Sequence, residues 1–251
     1  MSYINKPKDF YLEISKGNIS KHSDYGCFGI NADIDIATVP EDIQDAGGVF
    51  VPPTTYRVHA IVSADANDTS AGTGARTVKI FGVVSTGLAE ETIIMNGTTP
   101  VNTVNSYTDI YRMVIYTAGS GLTNAGIITA TAAVDATVTI TIQVNGYNAS
   151  RRAIRLIPPG YKGYVTDWKA GMTQTVATNS ALVDILTRTS TGVWVKRGIH
   201  SLYNSGSSNE TDFYKVPLLI AAGEFVKLQC SYVSANNTTI QGDINLILVQ
   251  D

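Results

Sequence analysis

The sequence predicts an all-β protein made of antiparallel β-sandwich domains of the jelly-roll type. Thr, Val, Ile and Tyr recur in short runs that Gly, Asn, Ser and Asp interrupt. No long segment carries the 3.6-residue hydrophobic period of an amphipathic helix. Many short strands separated by turn residues are typical of sandwiches and barrels.

The chain of 251 residues is long enough for two β domains, and its pattern divides it into three parts. Residues 1–50 are polar and rich in glycine, so we predict an extended N-terminal arm there, with one short helix that begins at Pro40. Pro52 and Pro53 hold the chain extended and mark a boundary. We predict one sandwich over residues 51–148 and a second over residues 149–251.

Each predicted strand is a β-branched or alternating run bounded by turn residues. In the first sandwich we predict strands at 56–62, 76–84, 90–95, 101–104, 108–116, 126–132 and 136–144. In the second we predict strands at 153–157, 161–170, 181–188, 192–197, 212–215, 225–233 and 240–249. The pairs Asn96-Gly97 and Asn145-Gly146 predict tight turns, and residues 189–191 predict a hairpin loop.

The predicted arm carries apolar side chains that a solvated tail lacks. We therefore expect it to lie on a protein surface, either that of its own domain or that of a neighbouring subunit. The candidate interface residues are Phe10, Tyr11, Leu12, Ile14, Phe28 and Ile30.

Composition and charge argue against several classes of function. The formal net charge is −3 and no basic run occurs, which argues against binding of nucleic acid through its phosphates. No apolar run approaches the roughly 20 residues that span a bilayer, and the first residues lack the core of a secretory signal. We expect synthesis in a reducing cytoplasm, with Cys27 and Cys230 unbridged and Cys230 buried.

No group of residues has a catalytic pattern, so we predict that the protein is not an enzyme and uses no cofactor or metal. Asp65 and Asp68 offer oxygen ligands for calcium, but Ser70 and Arg76 stand where a calcium loop needs Gly and Glu. A turn held by Asx side chains is the favoured interpretation. The acidic residues of the arm are expected to be solvated or to lie between subunits; they are Asp33, Asp35, Glu41, Asp42 and Asp45.

Three aromatic residues of one predicted strand, Tyr161, Tyr164 and Trp168, form a candidate platform for carbohydrate. The alternative assigns these side chains to the core or to a protein interface, where aromatics are common.

Scattered segments of the chain resemble a group of tailed-bacteriophage virion proteins: residues 9–18, 22–23, 28–31, 40–43, 47–48, 68–76, 96–98 and 157–161. The resemblance implies a structural component of a phage particle, which is assembled in the host cytoplasm and located in the virion. It leaves open whether that component belongs to the head, a fibre or the tail.

The chain lacks the repetitive shaft of a fibre and the long amphipathic helix of common major capsid proteins. We therefore expect a capsid decoration or cement protein that stabilises the head. Its partners would be the major capsid protein or other virion proteins. Trimers are common at such positions and closed symmetry is the usual state of an oligomer, so we expect a homotrimer. The alternative is a tail or head fibre, or a receptor-binding module that contacts host surface glycan.

Overall fold

The computed structural model describes residues 9–144, 147–173, 179–189, 192–204 and 207–251. Strands make up 59% of the chain and helix 3%, and every strand pair is antiparallel, so the predicted all-β class is confirmed. The turn predicted at Asn145-Gly146 and most of the hairpin loop at 189–191 lie outside the described residues.

The described residues form one short helix and seventeen strands. The helix is α1 (Phe10–Ser15), and the strands are β1 (His22–Asp24), β2 (Cys27–Ile34), β3 (Glu41–Asp42), β4 (His59–Ser63), β5 (Ala75–Val84), β6 (Gly87–Ile94), β7 (Val101–Asn102), β8 (Asp109–Ala118), β9 (Ile128–Ala132), β10 (Val138–Ile142), β11 (Ile154–Leu156), β12 (Tyr161–Thr173), β13 (Asn179–Arg188), β14 (Trp194–Asn204), β15 (Ser207–Ile220), β16 (Phe225–Val233) and β17 (Thr238–Gln250).

These strands build four antiparallel sheets. Sheet 1 has the order β1-β17-β12-β15, with β2 on the same strand β17. Sheet 2 has the order β11-β16-β13-β14, with β3 also on β16. Sheet 3 is β10-β9-β4-β7, and sheet 4 is β6-β5-β8.

Two large hydrophobic cores form, each from a pair of sheets. Trp168 and Ile244 of sheet 1 share one core with Val183 and Leu228 of sheet 2. The second core joins sheets 3 and 4, and its members include Ile61, Ile80, Met113, Ile128 and Ile142. A smaller cluster lies where these two parts of the protein meet; it contains Phe50, Val83, Ile154, Leu156 and Phe225.

The N-terminal segment is built into the sheets of the C-terminal part. Strands β1 and β2 both pair with β17, and β3 pairs with β16. Residues 22–42 are therefore not a separate arm. They lie on a surface of their own chain, because they pair with strands of its C-terminal part. The helix predicted to begin at Pro40 is wrong, because Glu41 and Asp42 extend the edge of sheet 2 instead.

The chain leaves sheet 2 beside β16 and returns to the same place after more than a hundred residues. Ile43 N donates to the Leu228 carbonyl (3.1 Å), and Leu228 N donates to the Ala153 carbonyl (3.0 Å). The two passages also pair with each other, since Ala153 N donates to the Ile43 carbonyl (2.9 Å). We call residues 43–45 and 151–153 the neck; sheets 3 and 4 are inserted between its two strands.

Candidate interaction surface

Helix α1 lies on the outer face of sheet 1. Asp9 caps the helix, because its carboxylate accepts from the Tyr11 and Leu12 amides at 3.0 and 3.3 Å. Ile14 is buried on the side of the helix that faces the protein. The aromatic ring of Phe10 stands edge-on to His22 of β1, with centroids 6.0 Å apart.

The helix and the sheet enclose a groove of about 310 Å³. Outward-facing positions of three neighbouring strands form its floor, because Tyr164 of β12 stands opposite Ile247 of β17 and Leu219 of β15 in the sheet register. The residues lining the groove are Phe10, Tyr11, His22, Tyr164, Thr166, Pro217, Ile247 and Val249.

Large apolar side chains around this groove are open to solvent. Phe10, Tyr11 and Leu12 are 48%, 59% and 48% exposed. Leu219 and Phe213 of β15 are also exposed, and both stand opposite β12 residues. We call this surface, which consists of Phe10, Tyr11, Tyr164, Pro217 and Leu219, the apolar face. Such contiguous apolar surfaces mark sites of contact with other molecules.

The structure brings some of the predicted interface residues together and separates others. Phe10 and Tyr11 belong to the apolar face, whereas Leu12 is exposed on the helix and does not line the groove. Ile14 is buried, and Ile30 is half-buried on β2. Phe28 is exposed at a different groove, beside Lys169 and Glu210.

The predicted carbohydrate platform does not form one surface. Trp168 is fully buried in the core, where its ring lies 3.7 Å from that of His200, centroid to centroid. Tyr161 packs against the same core, whereas Tyr164 faces outward into the groove. The register explains the separation, since the strand shifts between Val165 and Asp167. The glycan-binding alternative therefore loses the observation that motivated it.

The loop around Asp68 is held by one buried carboxylate. Its Oδ1 accepts from the amides of Ala75 (2.6 Å) and Ala125 (2.8 Å), and its Oδ2 accepts from Ser63 Oγ (2.5 Å) and the Gly126 amide (2.9 Å). Asp65 accepts from the Asn67 amide at 2.7 Å, as the turn interpretation predicts. Among the described residues, no three acidic, His or Cys side chains come together as a metal site would require.

Three acidic residues of the N-terminal segment are not solvated, which corrects the prediction. Asp42 Oδ1 lies 2.6 Å from Lys227 Nζ, and both side chains are buried. Glu41 accepts from Asn31 Nδ2 (2.8 Å), and Asp45 pairs with Arg151 (2.6 Å). Burial raises the pKa of Asp45, and its hydrogen bond and ion pair with Arg151 oppose that rise.

The histidines and cysteines hold structural positions. His59 is buried, with Nε2 2.8 Å from Thr139 Oγ1, and burial lowers its pKa. His200 Nδ1 lies 3.1 Å from a Glu210 carboxylate oxygen. Cys27 and Cys230 are both free, and Cys230 is buried, as predicted; Cys27 is buried as well, and burial raises both thiol pKa values.

No family model matches this chain, and no curated protein does. No helix of the described residues is long and apolar enough to cross a membrane. The evidence for a function of the apolar face therefore comes from its own residues.

Helix α1, which contributes Phe10 and Tyr11 to the apolar face, was not predicted from the sequence. A signal was present, because Asp9 is a preferred N-cap residue, Glu13 suits the first turn and Gly17 suits the end of a helix. With six residues, α1 is too short to show a hydrophobic period. Its position on sheet 1 also depends on β1, whose pairing with β17 spans most of the chain.

Proposed function

We propose that this protein is a structural component of a tailed-phage particle, and that it binds neighbouring capsid subunits as a decoration or cement protein. The apolar face carries the proposal. Phe10 and Tyr11 of α1 and the groove beside them form an apolar surface that is exposed to water, which is unfavourable in free energy. Contact with a partner would remove this apolar area from water, at roughly 25 cal/mol for each Å² buried.

We further propose that sheets 1 and 2 form a jelly-roll sandwich. If the strands are counted in chain order, with β1 and β2 taken as one interrupted strand and β3 and β11 as another, sheet 1 has the order first, eighth, third, sixth. Sheet 2 then has the order second, seventh, fourth, fifth. This is the strand order of a jelly roll, in which eight strands form two Greek keys, and the jelly roll recurs in viral capsid domains. A fold hosts many functions, so this order supports the assignment without deciding it.

The proposal is tested by binding to phage particles. Purified protein is mixed with particles of the encoding phage that lack it, and the particles are sedimented. We expect the wild-type protein to sediment with them and Phe10→Asp to remain in solution, because a carboxylate would be desolvated in the contact. Val104→Asp is the matched control, since Val104 is equally apolar, highly exposed and outside the apolar face.

Two outcomes would count against the proposal. The first is wild-type protein that stays in solution, and the second is Phe10→Asp that binds as well as Val104→Asp. Electron microscopy with labelled protein would separate a head position from a tail position. Light scattering would test the proposed homotrimer, whose mass is three times that of the 26.8 kDa chain.

A further inference from the structure

A crevice of about 260 Å³ opens where the two parts of the protein meet beside the neck. Residues of β2, β8 and the returning neck strand line it, and no lining residue carries a carboxylate. Four of the lining residues are arginines, and we call this site the arginine crevice: Arg112, Arg151, Arg152 and Arg155.

Two of the four positive charges are neutralised and two are not. Arg151 pairs with Asp45 (2.6 Å), and Arg152 pairs with Asp109 (2.5 Å). No carboxylate of the described residues lies within ion-pair distance of Arg112 or Arg155. The crevice therefore has a local excess of about two positive charges in a partly enclosed space.

Arg155 is a buried cation whose hydrogen bonds all go to neutral groups. Its guanidinium donates to the carbonyl oxygens of Tyr25 (3.2 Å), Gly26 (2.8 Å), Tyr111 (3.2 Å) and Ile154 (3.0 Å). These carbonyls orient the group without cancelling its charge. The ring centroids of Tyr25 and Tyr111 lie 5.3 and 5.0 Å from Arg155 Cζ and stabilise the cation further, but no anionic group neutralises it, so the crevice would attract an anion.

The exposure of Arg152 and Arg112 differs. Arg152 is buried, and both its Nε and the Oδ2 of its partner Asp109 have no hydrogen-bond partner among the described residues. The unpaired donor is matched by an unpaired acceptor of the same ion pair, so Arg152 adds no net charge to the crevice. Arg112, by contrast, is exposed and can turn its guanidinium over the opening.

We propose that the arginine crevice binds a small oxyanion of the phosphate or sulfate type, with Arg112 and Arg155 supplying the charge. A guanidinium offers parallel N–H donors that match the spacing of two oxyanion oxygens. The anion would bridge β2 and β8, and would strengthen the junction of the two parts. This inference is independent of the phage assignment and adds a ligand to it.

Thermal unfolding with inorganic phosphate tests the site. The full chain is heated in increasing phosphate, with chloride adjusted to hold ionic strength constant. We expect a saturable rise in Tm, because a ligand that binds only the folded state stabilises it. Arg112→Gln should weaken binding roughly tenfold, since it removes one charged donor pair from an exposed position.

Two further variants sharpen the test. Arg197→Gln removes the same charge from an exposed arginine of β14, and it should bind phosphate like the wild type. Ala149→Asp adds a carboxylate to the crevice wall and should abolish the phosphate response. No saturable rise in Tm for the wild type, or equal losses in Arg112→Gln and Arg197→Gln, would overturn the proposal.

The source of the anion is resolved by a second titration with adenosine monophosphate. Equal affinity for this ester and for inorganic phosphate would support a free oxyanion as the ligand. Tighter binding of the ester would support a phosphate monoester at the same arginines. If Arg112→Gln leaves the affinity for either ligand unchanged, the site is rejected, whatever the outcome of the particle-binding experiment.

Discussion

Removing one member of the buried Asp42–Lys227 pair should destabilise the protein more than any change to a surface ion pair. Lys227 Nζ lies 2.6 Å from Asp42 Oδ1, and their side chains are 1% and 0% exposed. Asp42 also accepts from Gln229 Nε2 and from the Phe50 amide, each at 2.8 Å. The pair joins β3 of the N-terminal segment to β16 of the C-terminal part.

The magnitude follows from what each substitution leaves behind. Asp42→Ala leaves a buried ammonium without its counter-ion, which costs about 3–5 kcal/mol. For a chain of this length, where each kcal/mol shifts Tm by about 2–4 °C, Tm should fall by roughly 6–20 °C. The double variant Asp42→Leu with Lys227→Met removes both charges and should regain part of that loss, because apolar replacements of buried pairs are often neutral, while the Phe50 amide and Gln229 Nε2 still lose their acceptor.

Thermal and urea unfolding, followed by far-ultraviolet circular dichroism, measure these differences. Lys169→Met is the control, because Lys169 and Asp243 are partly exposed and 3.5 Å apart, and such a pair contributes less than about 1 kcal/mol. If Asp42→Ala unfolds at the same temperature as Lys169→Met, the N-terminal segment does not depend on this pair, and the reasoning fails.

Three more predictions concern glycine, histidine and cysteine positions. Gly29→Ala should lower the free energy of unfolding in urea by about 1–3 kcal/mol or more, because the new Cβ would lie 2.2 Å from a backbone oxygen of the neck. Gly48→Asn is the control, since the space around Gly48 is open, and an equal or larger loss in that control would contradict the prediction. Burial lowers the pKa of His59 below 6.5, so the unfolded chain binds a proton first as pH falls. Stability should therefore decrease below pH 6.5, by at most about 1.4 kcal/mol per pH unit from this group, and His59→Gln should reduce that slope; an unchanged slope would refute the assignment. Burial raises the pKa of Cys230 to about 12, so a thiol reagent should modify neither it nor Cys27 until denaturant is added; reaction in the folded protein would contradict the buried positions.

The strands were largely predictable because their signal is local. The run predicted at 225–233 matches β16, and the run predicted at 76–84 differs from β5 by one residue. In both, apolar and β-branched residues fit a pleated surface and turn residues mark the ends. Asn96-Gly97 also turns the chain as predicted, with Gly97 in the left-handed region at φ +60°.

Pairing between distant segments was not predictable. The acidic residues near Pro40 suggested a helix start, but Asp42 and Asp45 find their partners Lys227 and Arg151 more than a hundred positions away. The strand predicted at 212–215 is part of the much longer β15, because an edge strand tolerates Pro217 and outward-facing polar residues. The strand pattern of a single sequence does not show which strands from distant parts of the chain pair with each other, as β3 and β16 do.

The neck explains why sheets 3 and 4 should not move as a tethered appendage. A single linker permits rotation, whereas two paired strands resist twisting and bending. Arg152 adds donors to the carbonyls of Ile110 (3.1 Å) and Thr139 (2.7 Å) on the inserted side, and Arg155 donates to Tyr111 on that side and to Tyr25 on the other. Hydrogen bonds from charged groups contribute about 1.5–3 kcal/mol each, so swinging one part against the other would break several of them together. A load applied to the inserted sheets would therefore reach sheets 1 and 2 through buried contacts, which is a property that a component of a shell requires.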